Sequence, residues 1–134
     1  MPTWFVSGHP DLTPSEFVAH YTKPLGAALS EPEARFVLAD APGATGLARE
    51  YLAGARAEVC VFHVGEAPRC AAGATRGGFA TEDERDAAMT SASDADIAWV
   101  RSGMDDSATA RNLARRGPVA SPSWLDRVRS WLGR

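Results

Sequence analysis

Apolar residues along the 134-residue chain fall into two alternating patterns, short continuous runs and helically spaced stripes. Trp4-Phe5-Val6, Phe36-Val37-Leu38-Ala39, Val59-Cys60-Val61-Phe62-His63-Val64 and Ile97-Ala98-Trp99-Val100 are runs too short for helices. They are apolar enough to be buried on both faces, which predicts strands. Between the first two, Phe17, Val18, Tyr21, Leu25 and Leu29 recur at helical spacing. Thr13 is the expected N-cap, Pro14 takes the first helical position and Glu16 closes a capping box. Pro24 is expected to kink or interrupt this helix, because it lacks an N–H and clashes one turn back.

Leu47, Ala48, Tyr51 and Leu52 give the next helix its buried stripe. A second capping box, Thr81 with Glu84, opens a helix carrying Arg85, Asp86, Met89 and Thr90. Ala110, Leu113 and Ala114 form the expected stripe of a further helix that ends in Arg115 and Arg116, where cations complement the dipole. Residues 65–80, rich in Gly, Ala and Arg, read as a long basic loop of the kind that serves as a lid or binding loop. Residues 117–122 read as a linker. The tail places Trp124, Leu125, Val128, Trp131 and Leu132 on one helical face.

Strand and helix alternating four times predict an α/β domain with a mostly parallel sheet covered on both faces. Its expected bounds are 1–116, with 117–134 forming the linker and a C-terminal amphipathic helix. In such open sheets ligands bind past the carboxyl ends of the strands, where the strand order reverses. The expected strand ends are Ser7-Gly8-His9, Asp40 to Ala44, His63-Val64-Gly65 and Arg101-Ser102-Gly103, all small or polar. The run 93–112 reads as a strand, a Gly- and Ser-bearing loop and a helix start, which together suit an anion.

Each candidate residue has a plainer alternative. Gly8, Gly43 and Gly103 either let backbone approach a ligand or merely shape turns. Ser107 and Thr109 either donate to phosphate or cap a helix. Glu84 is a catalytic carboxylate or only half of a capping box. Arg85 and Asp86 hold phosphate and ribose hydroxyls, or form a solvated helix face.

Composition narrows the classes. With 45% hydrophobic and 23% charged residues the chain is globular in type, and its net charge of −3 argues against a nucleic-acid partner. Two cysteines, Cys60 and Cys70, make no disulfide framework. The start lacks a signal-peptide pattern and no apolar run reaches a membrane-spanning length, so the expectation is a cytoplasmic protein with no membrane partner. The three histidines lack metal-ligand spacing, and neither a metal nor a cofactor is expected. No Gly-x-Ser-x-Gly elbow is present. The tail's apolar face is expected to make a homodimer or higher homo-oligomer.

Three segments carry a family resemblance: Ser7-Gly8-His9-Pro10-Asp11-Leu12-Thr13, Asp40-Ala41-Pro42-Gly43-Ala44, and Glu84 to Met89 followed by Ser93-Asp94-Ala95-Asp96-Ile97-Ala98-Trp99. Through them residues 4–116 resemble the SLOG superfamily of Rossmann-like domains. That group includes nucleoside 2-deoxyribosyltransferases and cytokinin-activating phosphoribohydrolases. The resemblance implies a Rossmann-like three-layer sandwich that binds a small nucleotide or nucleotide-derived ligand at the strand ends. The ligand-binding residues it suggests are Ser7, Gly8, His9, Asp40, Gly43, Ala44, Arg85, Met89, Arg101, Gly103, Ser107, Thr109 and Asn112. The run Asp106-Ser107-Ala108-Thr109-Ala110-Arg111-Asn112 departs from the deoxyribosyltransferase pattern. Asn112 stands where a nucleophilic Glu is expected, and an amide cannot be a carboxylate nucleophile. Binding or sensing is therefore the leading expectation. The alternative is an N-glycosidase or deoxyribosyltransferase-like activity on a nucleoside or its 5′-monophosphate, with Glu84 or Asp86 as catalytic carboxylate.

Overall fold

Every strand of the sheet runs parallel to its neighbours, and the one that starts the chain lies inside it. The computed structural model describes residues 2–68 and 74–116. Their five strands are β1 (Thr3–Val6), β2 (Arg35–Ala39), β3 (Glu58–Val64), β4 (Ala74–Phe79) and β5 (Ala95–Ile97), in the order β4-β3-β2-β1-β5. Five helices accompany them: α1 (Pro14–His20), α2 (Thr22–Leu29), α3 (Ala44–Gly54), α4 (Glu82–Ser91) and α5 (Ala108–Arg116). The chain builds outward from β1 through β2 and β3 to β4, then returns to add β5 on the other side of β1. The strand order therefore reverses at β1, and the α/β Rossmann-like sandwich is as expected.

Successive strand residues face opposite sides of the sheet, so each face has its own core. Trp4, Val6, Phe36 and Leu38 pack with Phe17, Tyr21, Leu25, Ala48 and Leu52 on the side of α1, α2 and α3. Phe5, Val37, Ala39 and Phe62 pack with Met89 of α4 on the other. At burial worth about 25 cal/mol per Å² of apolar surface, these two layers supply the main driving force for the fold.

The first capping box forms as expected. Glu16 N donates to Thr13 Oγ1 at 3.2 Å, and Thr13 N donates to Glu16 Oε1 at 3.0 Å. Pro24 acts as an interruption: α1 stops at His20, whose carbonyl Pro24 has no N–H to reach, and α2 starts at Thr22. Tyr21, at the break, is wholly buried. Its hydroxyl donates to the Ser7 carbonyl at 2.7 Å and accepts from Trp99 N at 3.1 Å, bracing the ends of β1 and β5.

Burial pushes the Tyr21 phenol up from 10.0 to about 12, against the Trp99 hydrogen bond and with help from the Glu16 charge. Below pH 10 the folded and unfolded states both keep this proton. Between about pH 10 and 12 the unfolded chain gives it up first, so stability falls with rising pH, by up to roughly 3 kcal/mol. Urea titrations across that range should show the loss. Tyr21→Phe should be less stable by about 1–2 kcal/mol at neutral pH but lack that part of the alkaline slope. An unchanged slope would place its origin elsewhere.

Four expectations need correction or fall elsewhere. The segment read as one long loop contains β4, which pairs with β3 from Cys60↔Ala74 to Phe62↔Arg76. One extra β4 residue then intervenes before Val64↔Phe79, a bulge at Gly77-Gly78. A side chain at Gly77 would overlap the buried His63 ring, which explains glycine there. The last strand is shorter and earlier than Ile97-Ala98-Trp99-Val100: β5 ends at Ile97, whose carbonyl takes Ser7 N. Beyond it, side chains satisfy the backbone, since Trp99 N goes to Tyr21 and Arg101 N to His9 Nε2 at 2.8 Å. α5 buries Thr109 and Asn112 instead of an alanine–leucine stripe, leaving Leu113 38% exposed. The expected linker and tryptophan-bearing tail, with Arg69, lie outside the described residues. Among the described residues no helix is long and apolar enough to cross a membrane.

Candidate functional site

At the carboxyl ends of β1, β2 and β3 a cavity of about 310 Å³ opens between the first turns of α3, α4 and α5. Phe5, Ala39, Pro42 and Val64 contribute apolar lining. Its polar lining comes from Ser7, Asp40, Thr45, Arg85, Asp86, Thr109 and Asn112, with Glu82 also on the wall. All of these but Glu82 are buried.

Ser7 follows β1 directly. Its N–H donates to Ile97 O and its carbonyl accepts from Tyr21, so its backbone is satisfied. Its Oγ is buried without a hydrogen-bond partner. A buried hydroxyl left unpaired costs about 1–3 kcal/mol, so a ligand atom at this position would recover that cost.

Asp40 follows β2 and is locked by its N–H to Phe62 O at 2.8 Å. The turn after it folds onto the β1 end, where Ala44 N donates to His9 O at 3.1 Å. Gly43, the N-cap of α3, has φ +75 and ψ −124 and no side-chain cap. A Cβ there would run into the carbonyls of Pro10 and His9. Thr45 Oγ1 donates to Ala41 O at 2.5 Å, tightening the same turn.

The first two turns of α4 supply Arg85 and Asp86. Their side chains are 8% and 9% exposed, and both Arg85 Nε and a terminal nitrogen donate to Asp86 Oδ1 at 3.0 Å. Asn112 Nδ2 donates to Asp86 Oδ2 at 3.4 Å. Asn112 Oδ1 in turn accepts from Arg115 at 2.6 Å, and Arg115 pairs with Asp83 at 2.7 Å. The amide at 112 thus holds the carboxylate of Asp86 from a neighbouring helix. Desolvating such a pair is costly, and an apolar pair of equal volume often does as well or better for stability.

The structure therefore brings together Ser7, Gly8, Asp40, Arg85, Asp86, Thr109 and Asn112 of the sequence-derived set. The rest stand outside the cavity lining. His9 is buried, accepts from Arg101 N and meets Trp99 edge-on at 6.0 Å. Gly43 and Ala44 shape the turn behind it. Met89 belongs to the core. Glu84 is exposed and serves the start of α4: its N–H donates to Thr81 Oγ1 and its Oε2 accepts from Ala80 N. Gly103 is exposed, and Ser107 Oγ accepts from Ala110 N as an α5 cap.

Arg101 is committed to Glu16 at 2.7 Å and Asp11 at 3.1 Å. The Arg101 hydrogen bond, followed by that of Thr13 N, holds the Glu16 carboxyl down at about 2, and Glu16 raises Arg101 in turn. Thr45 and Glu82 are cavity residues that the sequence reading missed. Their common feature is a place in the first turn of a helix entering from the sheet's carboxyl edge. Among the described residues no group of three or more His, Cys, Asp or Glu is placed to hold a metal ion.

No family model, curated protein or solved structure matches the chain.

Proposed function

We propose that this cavity binds a nucleotide or nucleotide-derived small molecule, in a binding or sensing role. The observation that carries the reading is the convergence of buried polar side chains from β1, β2, α4 and α5 on one strand-end cavity, including a serine hydroxyl with no partner. Strand-end crevices near a reversal of strand order are where open α/β sheets bind ligands. The volume of about 310 Å³ lies at the lower end of the ~300–1,000 Å³ range of small-molecule pockets. It suits a nucleoside or mononucleotide, while NAD or ADP-ribose would extend beyond it.

A thermal-shift panel of nucleosides, AMP, ADP-ribose, NAD and cyclic nucleotides tests the reading. A ligand at 100 times its Kd should add about 2.7 kcal/mol of stability, several degrees in Tm. Absence of any shift across the panel would count against it.

A second reading, cleavage or transfer at an N-glycosidic bond, is favoured by one observation: Asp86 presents a buried carboxylate at the cavity. Glu84 caps α4 outside the lining, so Asp86 alone carries this reading. Release of free base, abolished by Asp86→Asn, is its assay.

A further inference from the structure

We propose that Ser7 is the specificity-determining residue of this cavity. Its hydroxyl is left for a hydrogen-bonding atom of the ligand, at a cost to the stability of the ligand-free protein. The proposal deepens the nucleotide-binding reading and rests on it.

Strand periodicity carries the first part. Along β1, Trp4 and Val6 join the core under α1, α2 and α3, whereas Phe5 joins the core under α4. Ser7 continues the ladder through its N–H to Ile97 O at 3.1 Å, so its side chain falls on the Phe5 side, and both residues line the cavity. An apolar residue there would extend the core. Ser7 instead places an unpartnered hydroxyl in a residue only 5% exposed. A local cost of this kind is one that functional sites retain.

The backbone around Ser7 is held on both sides. Its carbonyl accepts from the Tyr21 hydroxyl at 2.7 Å. At Gly8 a Cβ would overlap that same hydroxyl and the Ala44 methyl group, so the chain lies tight against α3. The side chain of Ser7 is thereby presented to whatever fills the cavity.

Neighbouring polar groups differ. Arg85, Asp86 and Asn112 bond one another, and Thr45 Oγ1 donates to Ala41 O. Thr90 Oγ1 and His63 Nδ1 are also buried without partners, but neither residue lines the cavity. Ser7 combines unused hydrogen-bonding capacity with a place on the cavity wall. A serine hydroxyl donates as well as accepts, so a sugar hydroxyl, a base heteroatom or a phosphoryl oxygen can meet it.

The test is thermal melting and calorimetric titration of the full chain and of Ser7→Ala. The probes are adenosine, guanosine, cytidine, uridine, their 5′-monophosphates, and the 2′-, 3′- and 5′-deoxy forms of the nucleosides. Without ligand, Ser7→Ala should melt about 2–5 °C higher than the wild type, yet bind the best compound at least about tenfold more weakly. Thr90→Val should also melt higher but bind as the wild type does. A deoxy form bound equally by wild type and Ser7→Ala would identify a sugar hydroxyl as the partner. If every deoxy form still distinguishes them, the nucleosides and monophosphates compared in the same way assign the partner to base or phosphate, and the proposal stands. Ser7→Ala that binds as the wild type does, or melts no higher, would overturn the proposal and leave the nucleotide reading in place. If no compound binds the wild-type chain, that reading falls and the proposal with it.

Discussion

Gly43→Ala is expected to destabilise the protein by about 4 kcal/mol, whereas Gly46→Ala, one helical turn further on, should be neutral or stabilising by up to about 1 kcal/mol. At Gly43 the backbone has φ +75 and ψ −124, which L side chains rarely adopt, and a Cβ would also overlap the Pro10 and His9 carbonyls. Strain of that kind costs about 1–3 kcal/mol, and forcing a methyl group into fixed backbone costs a similar amount. At Gly46 the same methyl group would find only Ala41 O, at 4.0 Å, and would improve helix propensity. For a chain of this length the first change should lower Tm by roughly 10–15 °C. Calorimetry on both variants decides the matter: similar Tm values would mean that the turn after β2 is not held in this geometry. Because the same turn carries Asp40 and Thr45, Gly43→Ala should weaken ligand binding as well.

Arg85→Met should cost about 3–5 kcal/mol, since it leaves the Asp86 carboxylate buried beside an amide with no cation. The double variant Arg85→Met/Asp86→Leu should cost less than the sum of the two single changes, with a coupling of at least about 2 kcal/mol in urea denaturation. It should also lose the ligand-induced thermal shift. Stability restored without binding would identify the pair as part of the recognition surface, retained at the expense of a better-packed apolar alternative. Single-variant effects below about 0.5 kcal/mol would show that the pair is effectively hydrated.

Much of the fold was legible because strongly buried elements advertise themselves locally. Phe36-Val37-Leu38-Ala39 and Glu58 to Val64 are apolar on both faces, and Thr13-Pro14-Ser15-Glu16 carries its whole capping chemistry within one turn. β4 was not legible. Ala74-Thr75-Arg76-Gly77-Gly78-Phe79 is an exposed edge strand whose pairing depends on β3, and its Gly77 accommodates the His63 ring, which sequence spacing cannot reveal. The α5 stripe failed for a related reason: a helix that lines a polar cavity turns Thr109 and Asn112 inward, opposite to the hydrophobic rule.

The site was legible in half. Strand-end chemistry pointed to Ser7, Asp40 and the Arg85–Asp86 pair, which do converge. Nothing local distinguishes Arg101, taken by Glu16 from 85 residues away, from an arginine left for a ligand. Asn112 looked like a lost nucleophile, yet it holds the Asp86 carboxylate through its amide.

The position of β1 between β2 and β5 has a consequence for how the chain folds as it is made. Its Thr3 N donates to Asp94 Oδ2 and Thr3 O accepts from Asp94 N, contacts that span 91 residues. β1 therefore keeps an open edge until β5 emerges from the ribosome, and the face carrying Phe5, Val37 and Phe62 lacks its α4 cover for nearly as long. Non-local pairing of this kind is slow, because loop closure must precede any gain from the contact. The nascent half-sheet is thus the stage of the protein's life most open to misassociation, and completing β5 and α4 ends it.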